Sequence, residues 1–161
     1  MSQLIVLILI ANVAVLLGAY GFEILGGLAP CQLCYYQRIP YFTAIVLCGA
    51  AWFRPGLARP ALVLLVLNYM ASAGLGVYHA GVEWTWWPGP ASCTVMGGSG
   101  LPVEELMAQI LAAPVVRCDE VPWSLFGISL AGYNALISAG LMGLSAYAFM
   151  LGRKDRNHGR I

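Results

Sequence analysis

The sequence predicts an all-α membrane protein, a bundle of four transmembrane helices with a short amphipathic helix in its second outward loop. The chain has 161 residues, of which 60% are hydrophobic and only 9% are charged. Soluble domains carry about 25% charged residues. The apolar residues gather in four long runs, and short segments rich in helix breakers or cysteine separate them. The net charge of +1 gives no indication of nucleic-acid binding.

Each apolar run approaches or exceeds the roughly 20 residues that cross a bilayer. The runs cover residues 4–22, 35–53, 61–78 and 124–151. No basic residue precedes the first run, which favours a retained helix over a cleaved signal peptide. The fourth run is long enough to begin before the hydrocarbon and to tilt through it. We therefore interpret residues 1–161 as a single integral membrane domain.

The basic residues predict the orientation of these spans. Six of the eight fall in the connection 54–60 or in the tail 152–161: Arg54, Arg59, Arg153, Lys154, Arg156 and Arg160. The opposite side carries most of the acidic residues. Because positive residues collect on the cytoplasmic side, we expect both termini to be cytoplasmic. The loops 23–34 and 79–123 would then face outward.

The second outward loop contains a candidate surface helix. Residues 101–111 place apolar side chains on one helical face and glutamates elsewhere. The segment is too short to span, so we expect an amphipathic helix lying on the membrane. A small helix packed on the spans is the alternative.

A pair of cysteines, Cys31-Gln-Leu-Cys34, precedes the second run and is followed by Arg38. Such a pair can cycle between dithiol and disulfide, and a nearby cation lowers a thiol pKa. A helix starting near Leu33 would put Cys34 in its first turn and on the same face as Arg38. The pattern favours redox chemistry at the membrane surface. Two alternatives remain open: the cysteines could form a purely structural bridge, and the Arg38 side chain could only extend to the membrane surface.

The other cysteines extend this hypothesis. Cys93 and Cys118 lie in the second outward loop, where disulfides persist. They could form a bridge that exchanges with an external thiol, or one that only staples the loop. Together with Cys31 and Cys34 they could also supply four zinc ligands. Cys48, inside the second run, is typical of an inert packing residue.

His79 ends the third run near the outward interface. It could be an interfacial polar residue, or it could hydrogen-bond a bound carbonyl. The sequence shows no hydrolase triad, no phosphate-binding Gly-Lys loop and no His-Glu-x-x-His motif.

Four runs, Cys31-x-x-Cys34-x-x-x-Arg38 in the first outward loop and Cys93 with Cys118 in the second resemble the bacterial disulfide-bond-formation protein B (DsbB) family. The likeness covers nearly the whole chain. The resemblance implies a bacterial inner-membrane enzyme that oxidises a periplasmic, thioredoxin-like DsbA-type oxidase. Ubiquinone or menaquinone would be the electron acceptor, without metal or flavin.

The resemblance also implies an electron path. The reduced partner attacks Cys93, Cys118 passes the exchange to Cys31, and the Cys34 thiolate reduces the quinone beside Arg38. His79 lies near the place where the family uses a histidine at the quinone, although the loop spacing differs.

One position departs from the family pattern. The residue before the arginine, often acidic in the best-known members, is Gln37 here, which removes a possible partner for Arg38.

Two alternative functions remain open. One is a quinone and thiol oxidoreductase similar to vitamin K epoxide reductase, and the other is a non-catalytic four-span protein stapled by zinc.

Overall fold

The computed structural model describes residues 2–90 and 117–158, with side chains through residue 152. Two predictions lie outside these residues: the position of Cys93 and the amphipathic helix at 101–111. The basic side chains of the tail lie outside them as well.

The described chain is mostly helical. Its long helices are α1 (Ser2–Ile24), α2 (Gln32–Phe53), α3 (Ala58–Glu83) and α4 (Leu130–His158), and a 3-10 turn at Pro55–Leu57 joins α2 to α3. Within the described residues, three segments have the length and hydropathy needed to cross a membrane: Ser2–Ile24, Pro55–Glu83 and Leu130–Gly152. The prediction of a helical membrane protein is therefore confirmed. Helix α2 is not among the three, and its first half contains Gln32, Gln37, Arg38 and Pro40.

The helices pack in a ring, α1 on α2, α2 on α3, α3 on α4 and α4 back on α1. The α3–α4 contact depends on Gly76. A Cβ atom at this glycine would lie 2.8 Å from the backbone nitrogen of Ala135. Helices in lipid gain from such close approach, because small residues let the backbones make extensive van der Waals contact.

Polar side chains join the helices inside the bundle. The Asn12 amide of α1 donates to the Tyr69 hydroxyl of α3 at 2.6 Å, and Ser72 of α3 contacts Ser138 of α4 at 2.9 Å. Hydrogen bonds of this kind fix how apolar helices pair in a membrane. Cys48 is fully buried in the hydrophobic core around them.

A short hairpin precedes α4. Strands β1 (Ser124–Leu125) and β2 (Ile128–Ser129) pair antiparallel. The turn residues Phe126 and Gly127 both have positive φ, 52° and 77°, as a tight two-residue hairpin turn requires. Helix α4 therefore begins at Leu130, after the first six residues of the fourth apolar run.

Candidate functional site

The local sequence places the two cysteines at the start of α2. Cys31 is the N-cap residue, and its sulfur accepts a hydrogen bond from the backbone nitrogen of Cys34 at 3.4 Å. The helix begins at Gln32, one residue before the expected Leu33, so Cys34 lies in the first turn. There the positive end of the helix dipole favours a thiolate.

The two sulfurs differ in their electrostatics. The thiol of Cys31 donates a hydrogen bond to the sulfur of Cys34 at 3.1 Å. This hydrogen bond, followed by burial, raises the pKa of Cys31 to about 12. The same hydrogen bond lowers the pKa of Cys34 below its ordinary value. Cys34 is thus the more acidic of the two thiols, and it is the one that loses its proton first when the pair is reduced.

Arg38 has a partner that the sequence pattern did not suggest. Its guanidinium forms an ion pair of 2.6 Å with Glu23, near the end of α1. It also lies over the rings of Tyr20 and Tyr35, with 4.6 and 5.2 Å to the ring centroids. Such cation–π contacts hold a guanidinium in place. Arg38 is 8% exposed, so its charge sits in a constrained, largely water-free position.

His79 of α3 meets Cys31 rather than Arg38. Its Nε2 lies 3.5 Å from the Cys31 sulfur, and its Nδ1 lies 2.8 Å from the Gln37 side-chain nitrogen. The ligating atoms of Cys31, His79 and Cys118 all lie within 4.8 Å of one another and are buried. These three groups could hold a metal ion. The two cysteines of this group are also close enough for thiol–disulfide exchange between Cys118 and Cys31.

An apolar cavity of about 490 Å³ opens between α1, α2, α4 and the segment before the hairpin. Cys34, Gln37, Arg38 and Tyr41 line its α2 side at helical spacing, and α4 contributes Asn134. The rest of the wall is mainly aliphatic and aromatic. A few polar groups in an apolar cleft of this size are typical of a small-molecule site.

Aromatic rings form one end of the same cavity. Trp123, just before the hairpin, packs against Phe22 of α1 with 4.9 Å between ring centroids and lies 6.3 Å from Tyr133 of α4. All three rings line the cavity. Flat apolar surfaces of this kind suit a flat ligand, because stacked or tilted ring contacts add to the burial of area.

A second, more polar cavity of about 220 Å³ adjoins the first. Cys31, His79, Arg117 and Glu120 line it, and Ala29, Cys34 and Pro122 line both cavities. Cys34 therefore lies in a shared wall. Among the described lining residues, Cys34 is the only cysteine that borders both cavities.

The structure brings most of the proposed site residues together. Cys31, Cys34 and Arg38 lie on the first two turns of α2, and Cys118 and His79 lie close to Cys31. Sequence reasoning missed Glu23, which is the single acidic residue beside the first cysteine pair. The signal that could have predicted this pair is that Glu23 is the acidic residue, and Arg38 the basic residue, nearest to the cysteine pair. It also missed Asn134, which only the packing of α4 brings to the cavity.

The fold and the site define a helical membrane protein that holds a dithiol between an apolar and a polar cavity. The family model described as "Disulfide bond formation protein DsbB" matches residues 2–148. The chain belongs to this family, which confirms the resemblance. It is accordingly a membrane protein of disulfide-bond formation and, at the general level, a disulfide oxidoreductase.

Curated relatives agree with this family. An uncharacterized protein of Rickettsia prowazekii (strain Madrid E) is 30% identical over 140 residues, which cover 86% of this chain and 81% of the relative. Disulfide bond formation protein B 1 of Pseudomonas aeruginosa (strain PAO1) is 28% identical over 155 residues, covering 92% and 94%. Disulfide bond formation protein B of Alkalilimnicola ehrlichii is 28% identical over 159 residues, covering 95% and 93%. No solved structure matches this chain.

Proposed function

We propose that the protein is a thiol:quinone oxidoreductase of the bacterial inner membrane. It reoxidises a periplasmic thioredoxin-like oxidase of the DsbA type and passes the electrons to ubiquinone or menaquinone in the larger cavity. Helix α2 spans the membrane together with α1, α3 and α4, which makes four spans, and both termini are cytoplasmic.

The position of Cys34 is the observation that carries this proposal. Cys34 lines the apolar cavity together with Arg38, and its sulfur lies 3.1 Å from the sulfur of Cys31. Cys31 borders only the polar cavity, on the side of Cys118. One sulfur thus faces a lipid-soluble ligand, and the other faces the loop from which a protein thiol would deliver electrons.

The electrons follow the sulfurs in order. The reduced partner attacks Cys93 in a Cys93–Cys118 disulfide, and the freed Cys118 thiolate attacks Cys31. This exchange breaks the Cys31–Cys34 bond and releases Cys34 as a thiolate, since thiol–disulfide exchange runs through a mixed disulfide. The closeness of Cys118, Cys31 and Cys34 supports this order.

Two exchange steps precede quinone reduction. The partner's second thiol attacks its mixed disulfide and releases Cys93, and Cys93 then attacks Cys118 and frees Cys31. The Cys31 and Cys34 thiols lose two electrons and two protons as they form one disulfide, and the quinone gains both and becomes a quinol. Arg38 stabilises the negative charge that passes from the Cys34 sulfur to the quinone oxygen. Glu23 holds Arg38 in place during this transfer.

Three tryptophans support the proposed position of the site at the membrane surface. Trp84, Trp86 and Trp87 lie at and after the end of α3, and each is at least partly exposed. Aromatic residues of this kind gather at the bilayer surface. The dithiol would then lie at the outer interface, within reach of both the periplasm and the lipid.

The test is quinone reduction by the purified protein in lipid nanodiscs with a reduced thioredoxin-like partner. We expect turnover in the wild-type protein and a visible absorption band when quinone meets the Cys34 thiolate. The Cys34→Ser variant should lose both. Cys48→Ser is the matched control, because Cys48 is buried in the bundle core, and it should keep both. Normal quinone turnover in Cys34→Ser would contradict the proposal.

One observation favours a second candidate, a zinc-stapled protein without catalysis. The ligating atoms of Cys31, His79 and Cys118 lie within 4.8 Å of one another, and thiolate and imidazole are the groups that zinc prefers. Stoichiometric zinc in the purified protein, together with the lack of any reducible disulfide, would support this candidate. Quinone turnover would exclude it.

A further inference from the structure

We infer that Asn134 is a ligand-binding residue of the larger cavity, where its side-chain amide donates a hydrogen bond to a carbonyl oxygen of the bound quinone. This inference rests on the proposed function and adds a second polar anchor, on α4, to the one that Arg38 provides on α2.

The first observation is an unused donor. Asn134 lines the cavity, and its Nδ2 is buried without any hydrogen-bond partner in the described part of the chain. A buried donor without an acceptor is costly, and nearly all such groups in proteins are paired. Binding of a ligand with a carbonyl oxygen would remove this cost, so the unpaired amide favours the ligand-bound state.

The second observation fixes the orientation of the amide. The Tyr41 hydroxyl lies 2.6 Å from Oδ1 of Asn134. An amide oxygen can only accept a hydrogen bond, so the Tyr41 hydroxyl is the donor and the NH₂ group of Asn134 is left for another acceptor.

A chain of hydroxyls continues from this hydrogen bond. The Tyr41 oxygen lies 3.1 Å from Ser138, and Ser138 lies 2.9 Å from Ser72. Since Tyr41 donates to Asn134, it accepts from Ser138, which in turn accepts from Ser72. Hydrogen bonds in such a chain polarise one another. The chain ends at the Asn134 amide and strengthens its N–H groups as donors.

The two polar anchors border the same cavity from different helices. Tyr41, which holds Asn134, follows Arg38 by three residues on α2, a rise of about 4.5 Å. Arg38 and Asn134 are thus linked to successive turns of α2. One carbonyl oxygen would face Arg38 and Cys34, and the other would accept from Asn134.

The test compares Asn134→Leu, which keeps the branched shape of the side chain without a donor, with the wild-type protein. We expect the quinone Kd of the variant to rise about five- to tenfold, as for one lost hydrogen bond. Asn134→Gln, which keeps an amide, should recover part of this loss. Exchange of disulfides with the thiol partner in the absence of quinone should be unchanged, because this step uses the other cavity.

An infrared difference spectrum with carbonyl-labelled quinone separates binding from a structural role. In the wild-type protein one carbonyl stretch should lie at lower wavenumber than in the free quinone, and in Asn134→Leu it should return towards the free value. A weaker affinity with an unchanged carbonyl band would overturn the inference, and so would an unchanged affinity. If the wild-type protein neither binds nor reduces quinone, the proposed function itself fails.

Discussion

The hydrogen bond between the two sulfurs of α2 leads to a quantitative prediction. Replacing Cys31 by alanine removes the thiol that donates to the Cys34 sulfur at 3.1 Å. Replacing it by serine keeps a donor and also a good N-cap for α2. The pair Cys31→Ala and Cys31→Ser therefore separates the hydrogen bond from the loss of the redox partner, since neither variant can form the Cys31–Cys34 disulfide.

The magnitude follows from the energy of a hydrogen bond to a charged group, about 1.5–3 kcal/mol. One pKa unit corresponds to about 1.4 kcal/mol. Since the bond lowers the pKa of Cys34, its loss in Cys31→Ala should raise that pKa and lower the thiolate fraction below the midpoint about tenfold or more. The thiolate of Cys34 would then form only at higher pH, and Cys31→Ser should lie between the alanine variant and the wild type.

The measurement is the pH dependence of alkylation of Cys34 by iodoacetamide in the fully reduced protein, read from the Cys34 peptide by mass spectrometry. Only the thiolate reacts, so the midpoint of the rate profile reports the pKa. Equal midpoints in the wild type, Cys31→Ala and Cys31→Ser would refute the idea that Cys31 sets the charge of Cys34.

Two further predictions concern the helices around the site. Glu23→Gln keeps the volume of the side chain but removes the charge that pairs with Arg38 at 2.6 Å. The quinone KM should therefore rise about three- to tenfold for this partly exposed pair, while exchange with the thiol partner stays unchanged. An unaltered KM in steady-state kinetics would argue against a positioning role. Gly76→Ala should lower the thermal unfolding temperature, because its Cβ would lie 2.8 Å from the Ala135 nitrogen and overpacking costs about 1–3 kcal/mol. Gly74→Ala is the matched control on the same helix, with nothing within 4 Å of the added atom, and should be neutral or slightly stabilising; equal unfolding temperatures in the two variants would contradict the close-packing argument.

The sequence predicts the local features of the site well. The start of α2 and the shared face of Cys34 and Arg38 depend on nearby residues only, so helical spacing is sufficient to predict them. The pairing of Arg38 with Glu23 depends instead on how α1 turns against α2. A helix such as α1, which is apolar on nearly every face, carries little information about which face turns inward. For the same reason the contacts of His79 with Cys31, and of Asn134 with Tyr41, become visible only in the packed bundle.

The shared wall between the two cavities bears on how one dithiol can serve two reactants. A quinone is an electrophile, and a protein thiolate that reached it directly could react with it in an uncontrolled way. In the proposed mechanism the partner's electrons enter on the side of Cys31 and leave on the side of Cys34, so the protein thiol and the quinone need never touch. The asymmetry of the sulfurs agrees with this division, because the pKa of Cys31 is raised and the pKa of Cys34 is lowered. A variant that joins the cavities, such as Pro122→Gly in their common wall, should therefore keep quinone binding but allow a small external thiol to reduce quinone even in Cys31→Ser. No quinone reduction by that double variant, measured by quinone absorbance with dithiothreitol as the donor, would show that separation of the cavities does not control the reaction.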